Sequence, residues 1–134
     1  MGTVVVFPGQ GSQAVGMGLD LYEASPAARK IFDKADEVLG TSLTRIMFNG
    51  PAEDLERTDH AQPAILAVSL ACLAAANEQS EVSISDMASF VAGHSLGEYT
   101  ALAAADVLDP ADAIWLVRER GRLMQLSCEE QRGT

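Results

Sequence analysis

Ser95 sits in Gly93-His94-Ser95-Leu96-Gly97, within the stretch SFVAGHSLGEYTAL at 89–102. An apolar run precedes the Gly-x-Ser-x-Gly pattern and a helix-forming segment follows it, the setting of a serine raised on a sharp strand-to-helix turn. The chemistry such a turn offers is attack by the Ser95 hydroxyl on an acyl carbon. Gly93 and Gly97 give the turn small neighbours, and a helix start supplies free N–H groups and a dipole that favour negative charge. The Leu96 N–H is then placed to donate to a tetrahedral oxyanion. The same five residues also suit a plain strand-to-helix connection in which Ser95 is only a cap.

A serine nucleophile needs a base, and the chain has two histidines. Adjacent side chains diverge, so His94 is expected to pack or hydrogen-bond behind the elbow rather than serve Ser95. His60, in DHAQPA, reads as a polar residue at a helix terminus. Neither is a credible base. Arg120, beside Arg118, Glu119 and Arg122, reads locally as a solvated helix charge, and Arg118 and Arg122 as surface residues.

The elements that must position Ser95 follow from periodicity. Residues 3–7, TVVVF, form a β-branched run ended by Pro8-Gly9, the pattern of a strand buried on both faces in a parallel sheet. Residues 9–18 hold four glycines and read as a loop that approaches something closely. Ser25-Pro26 is an N-cap with proline at the first helical position, and that helix runs to Leu39 and stops at Gly40. Short helical turns are expected around Leu43–Phe48 and Ala52–Leu55. From Ala61 to Asn77 no charge occurs. A helix apolar all round is membrane-spanning or buried; its seventeen residues, with Gln, Pro, Ser and Asn among them, fall short of the roughly 20 a span requires, so it is read as buried. Pro63 fits its first turn. Residues 79–86 read as polar loop, Met87–Ala92 as a second strand, Ser95–Ala105 as a helix, and Pro110 to about Leu126 as another. The alternation gives an α/β architecture with a parallel sheet.

The totals bound the class. The chain has 134 residues, 48% apolar and 21% charged, which suits one packed domain. A net charge of −10, nine basic residues and few aromatics offer no nucleic-acid footprint and disfavour anionic membranes. Cys72 and Cys128 are too scattered for a disulfide framework or metal knuckle, no metal site is expected, and Cys72 reads as a small core hydrophobe. The start, MGTVVVFPGQG, lacks the basic and long apolar regions of a signal peptide. The expected location is the cytoplasm.

Three segments together, FPGQGSQAVGMG (7–18), GHSLGEY (93–99) and LVRERGRLM (116–124), resemble the malonyl-CoA:acyl carrier protein transacylases and the related polyketide acyltransferase domains. The resemblance runs through essentially the whole chain, with GPAEDL at 50–55 and QPAILA at 62–67. It implies the α/β-hydrolase-like large subdomain of the acyltransferase fold. It also implies that Ser95 takes a malonyl group from coenzyme A and passes it to the phosphopantetheine thiol of acyl carrier protein, in fatty acid or polyketide synthesis. By resemblance, the Gln10 and Leu96 amides form the oxyanion hole, and Arg120, 25 residues after Ser95, holds the malonate carboxylate. Gly9, Gly11 and His94 join Arg120 in the substrate-binding group. SLGEY together with Arg120 leans towards malonyl over branched or monocarboxylic acyl groups.

No covalently bound cofactor is implied; malonyl-CoA is a substrate, and phosphopantetheine belongs to the carrier partner. Family members also have a ferredoxin-like small subdomain, an activating histidine and further strands. Residues 1–134 are therefore read as the N-terminal part of the large subdomain, inactive alone, with the C-terminal remainder as a further partner. A serine hydrolase of lipase or thioesterase type would share only the elbow; a non-catalytic module binding acyl-CoA or a partner chain is the third reading.

Overall fold

The computed structural model describes residues 2–132, so Met1, Gly133 and Thr134, the ends of the expected 1–134 domain, lie outside it. In chain order the elements are β1 (Thr3–Phe7), α1 (Leu19–Ala24), α2 (Pro26–Leu39), α3 (Leu43–Asn49), α4 (Ala52–Glu56), α5 (Thr58–Gln79), α6 (Ile84–Met87), β2 (Ala88–Gly93), α7 (Gly97–Ala104) and α8 (Pro110–Arg132). The fold is α/β, and β1 and β2 pair in parallel with Val4 opposite Phe90 and Phe7 opposite Gly93. Parallel neighbours need a long crossover, which α1 to α6 supply.

Local signals set several boundaries. Ser25 Oγ accepts from Ala28 N at 3.1 Å and caps α2. Gly40 ends the same helix in the left-handed region, at φ 62°. Around α2 the core gathers Phe32, Leu43, Met47, Leu55, Leu66, Ile114 and Val117, each at most 1% exposed. Tyr22, Phe32 and Phe48 form an aromatic triangle with centroids 5.5 to 6.0 Å apart.

Helix α5 is buried continuously from Ala61 to Ala67, as its charge-free composition requires. It starts three residues earlier than expected, so Pro63 lies inside it rather than in its first turn. It is long and apolar enough to cross a membrane by composition alone, yet 67% of that window is packed inside the protein. Helices α1 and α6 were not anticipated; each is too short to show a period, and α6 starts where Asn77 Oδ1 accepts from Ile84 N at 2.7 Å.

Two expectations are corrected. Strand β1 is not buried on both faces: Val4 is 55% and Val6 71% exposed, level with Phe90 at 72%. Only the face carrying Val5, Phe7 and Val91 is covered, by Leu73 of α5 and by Ala101 and Ala104 of α7. The composition is that of a two-sided strand, and among the described residues helices cover one side. Cys72 is likewise not core but exposed, on the face of α5 that borders a groove with Val5 and Val68.

Candidate functional site

Strand β2 delivers the chain to Gly93, and His94 N extends the ladder by donating to Phe7 O at 3.2 Å. The chain then reverses at Ser95, whose φ of 56° is a left-handed value that costs a non-glycine residue energy. Its neighbours show why the turn needs small residues. A Cβ on Gly93 would collide with the Gly97 carbonyl, and one on Gly97 would lie 2.5 Å from Phe7 O. The elbow presses against the β1 end, and Ser95 is held up by packing below it.

The glycine loop after β1 meets this turn. A Cβ on Gly9 would lie 2.6 Å from His94 Nδ1 and 2.8 Å from His94 O. Ser12 Oγ donates to Gly9 O at 2.9 Å, Gly11 N donates to Gln13 Oε1 at 2.8 Å, and Gln10 Nε2 donates to Thr58 Oγ1 at 3.2 Å. The first turn of α7 is closed by Gly97 N, Glu98 N and Tyr99 N donating to His94, Ser95 and Leu96 carbonyls at 2.9 to 3.0 Å. The backbone N–H groups of Gln10 and Leu96 donate to no acceptor among the described residues. The Leu96 N–H follows the serine directly in the chain, and the loop carrying the Gln10 N–H meets the elbow through Gly9 and His94.

Helix α8 brings the charge. Arg120 Nη2 donates to Ser95 Oγ at 3.0 Å, and Nη1 donates to Gln62 Oε1 at 2.7 Å. The guanidinium also lies over the Tyr99 ring, 5.9 Å from its centroid. Arg120 is thus half-buried at the serine rather than a solvated helix charge. No carboxylate pairs with it among the described residues. Gly121 permits the approach, since a Cβ there would lie 2.5 Å from Thr58 O on α5.

The flanking arginines divide. Arg122 is a surface residue as expected, with Nη2 2.9 Å from Glu119 Oε2, and that hydrogen bond holds the Glu119 carboxyl below its ordinary value. Arg118 is not: it is half-buried and Nη1 donates to Asp59 O at 3.0 Å. Its carbonyl acceptor is free because Pro63, four residues on, has no N–H.

Neither histidine pairs with Ser95. His60 Nδ1 donates to Asp54 O at 2.7 Å, holding the start of α5 to α4. His94 is exposed, its ring against Gly9, and does not pack behind the elbow.

Gln62 was not singled out from sequence. It is 0% exposed, and its Nε2 donates to Met124 Sδ at 3.2 Å. The available signal was an amide inside a charge-free helix, since a buried amide requires partners.

Residues 4–133 match the family model described as the acyl transferase domain. Among curated relatives, the malonyl CoA-acyl carrier protein transacylase of Bacillus subtilis (strain 168) is 50% identical over 119 residues, which is 89% of this chain and 36% of the relative. The protein of that name from Escherichia coli (strain K12) is 43% identical over 128 residues, 96% of this chain and 40% of its own. Among solved structures, an acyl-carrier-protein-S-malonyltransferase from Bartonella henselae superposes with a TM-score of 0.89 at 47% identity, covering 93% of this chain and 40% of that one. A malonyl-transacylase solved in complex with its type II PKS acyl-carrier protein gives 0.85 at 45% identity, covering 93% and 39%. The chain spans between 36% and 40% of these two curated relatives.

Proposed function

The chain belongs to the acyl transferase domain family, and from that membership we propose that it carries the nucleophile, oxyanion donors and carboxylate anchor of a malonyl transfer from coenzyme A to acyl carrier protein. The observation that carries this reading is the 3.0 Å contact of Arg120 Nη2 with Ser95 Oγ by a guanidinium that has no carboxylate partner among the described residues. A group there can hold a free carboxylate through two parallel hydrogen bonds, with the acyl carbon next to the serine.

Ser95 Oγ attacks the thioester carbon as a base takes its proton. The Gln10 and Leu96 amides stabilise the oxyanion. Collapse breaks the C–S bond, coenzyme A leaves as its thiol, and malonyl-Ser95 remains. The phosphopantetheine thiol of the carrier protein then attacks the ester and restores the Ser95 hydroxyl. Arg120 exchanges the serine for the malonate carboxylate during this cycle, and Gly9 and Gly11 bring the loop against the acyl group. The pathway is fatty acid or polyketide synthesis, and the setting is the cytoplasm.

His60 is engaged with Asp54 O, and His94 lies against Gly9 without a hydrogen bond to Ser95 among the described residues, so the base is assigned outside residues 2–132. Loss of the base in a serine catalytic unit can cost on the order of a millionfold, and residues 1–134 alone therefore load carrier protein at or near background. Purified protein, malonyl-CoA and carrier protein test this. Robust loading that Ser95→Ala abolishes would overturn the assignment of the base. Hydrolysis of short esters without loading would favour a serine hydrolase, which leaves Arg120 at Ser95 without a role.

A further inference from the structure

Three neutral groups surround the Arg120 guanidinium: the Gln62 carbonyl oxygen, the Ser95 hydroxyl and the Tyr99 ring. Of the nearby cations, Arg118 likewise meets a neutral acceptor, the Asp59 carbonyl, whereas two others have carboxylate partners. Arg57 pairs with Asp59, and Arg122 pairs with Glu119. Gln62 is the fully buried member of the Arg120 set, on the helix with the longest buried run. Its amide has one workable orientation. The oxygen faces the cation at 2.7 Å, while the N–H side faces the Met124 thioether at 3.2 Å, which can only accept.

We infer that Gln62 is a positioning residue that sets acyl selectivity, fixing Arg120 beside Ser95 with a neutral acceptor so that the positive charge remains available to the substrate's own carboxylate. This rests on the reading of Ser95 and Arg120 given above. A carboxylate in place of the amide would form an ion pair with Nη1 and compete with an acidic acyl group for the same cation. An apolar side chain would leave the guanidinium without its helix-mounted anchor, and a site loosened in this way loses precision. A neutral hydrogen-bond acceptor avoids both faults.

Titration calorimetry of the protein with malonyl-CoA and with acetyl-CoA tests this, on the unaltered chain, Gln62→Glu, Gln62→Met and Arg120→Ala, with thermal melting as the check on folding. The unaltered chain is expected to prefer malonyl-CoA by about tenfold or more, and Arg120→Ala to remove that preference. Gln62→Glu should cut the preference to about twofold while retaining acetyl-CoA binding, because the charge is neutralised and the volume kept. Gln62→Met should keep the direction of the preference and weaken malonyl-CoA about three- to tenfold. A merely structural Gln62 would lower both ligands together and leave the ratio alone. A folded Gln62→Glu protein that keeps the full preference overturns the role of Gln62 and leaves that of Arg120 standing. If Gln62→Glu does not fold, Gln62→Met decides: unchanged malonyl-CoA affinity overturns the inference. An unaltered chain with no preference removes both readings.

Discussion

Arg118 Nη1 donates to the Asp59 carbonyl at 3.0 Å, the carbonyl that Pro63 leaves without a helical donor. A proline inside a helix removes one hydrogen bond and exposes one acceptor. Here the acceptor is filled from the neighbouring helix, and the defect in α5 becomes a tie to α8. Arg118→Ala should destabilise the protein by about 1–2 kcal/mol, the cost of an unsatisfied buried carbonyl. In a Pro63→Ala background, where an N–H is restored, the same change should cost less than about half as much. Urea unfolding of the four proteins measures the coupling, and additive losses would show that the carbonyl is not what Arg118 serves.

Gly121 sets how closely α8 approaches α5. A Cβ at this position would lie 2.5 Å from Thr58 O and 3.0 Å from Asp59 Cα, both backbone atoms that cannot swing aside. Gly121→Ala should cost about 1–3 kcal/mol by overpacking and shift Arg120 away from Ser95. The check is paired: a fall in thermal stability together with a loss of malonyl-CoA binding. Loss of stability with unchanged binding would separate the helix contact from the site.

Ser95 has a left-handed φ of 56° at the strand-to-helix turn. Ser95→Gly removes the strain, worth about 1–2 kcal/mol, along with the hydrogen bond from Arg120. Net stability should stay within about 1 kcal/mol of the unaltered protein or rise, where most substitutions at half-buried sites destabilise. Chemical denaturation decides it, and a large loss would mean that the turn is not strained.

Asp59 links stability to pH. Burial pushes its carboxyl up, but the Arg57 guanidinium, donating from Nε and Nη2 at 3.1 Å each, outweighs this together with His60 and Arg118. The net displacement is below the ordinary 3.8. A carboxyl lowered in the folded state contributes stability that is complete above its unfolded value and is lost as the pH falls through the folded one. The protein should therefore weaken progressively below pH 3.8, and Asp59→Asn should flatten that part of the curve. Parallel curves for the two proteins would contradict the assignment.

The local parts of this structure were legible in the sequence. Ser25 and Gly40 bound α2 because capping is a matter of one residue and its neighbours. Gly93, Ser95 and Gly97 announce the elbow because the turn itself demands their sizes. The charge-free run predicts that α5 is buried, although Pro63 sits deeper in it than its first turn. What could not be read was set by packing between distant segments. Arg118 and Arg120 differ by two positions in α8, and only the placement of α5 decides that one ties a carbonyl and the other faces the serine. Gln62 is invisible to periodicity for the same reason. The open face of Val4, Val6 and Phe90 was missed because composition tells what a strand is fit to pack against, not what covers it.

The central claim is that Ser95 accepts a malonyl group held by Arg120, and intact-mass analysis with peptide mapping tests it most directly. The protein is incubated with malonyl-CoA or acetyl-CoA, with and without imidazole as an external base of suitable pKa. The expected result is one malonyl adduct on Ser95, formed faster with imidazole, absent from Ser95→Ala, and reduced by about tenfold or more in Arg120→Ala. Acetyl-CoA should label Ser95 much more slowly. A Ser95 that stays unmodified in the presence of imidazole, or takes acetyl and malonyl groups equally well, would contradict the account.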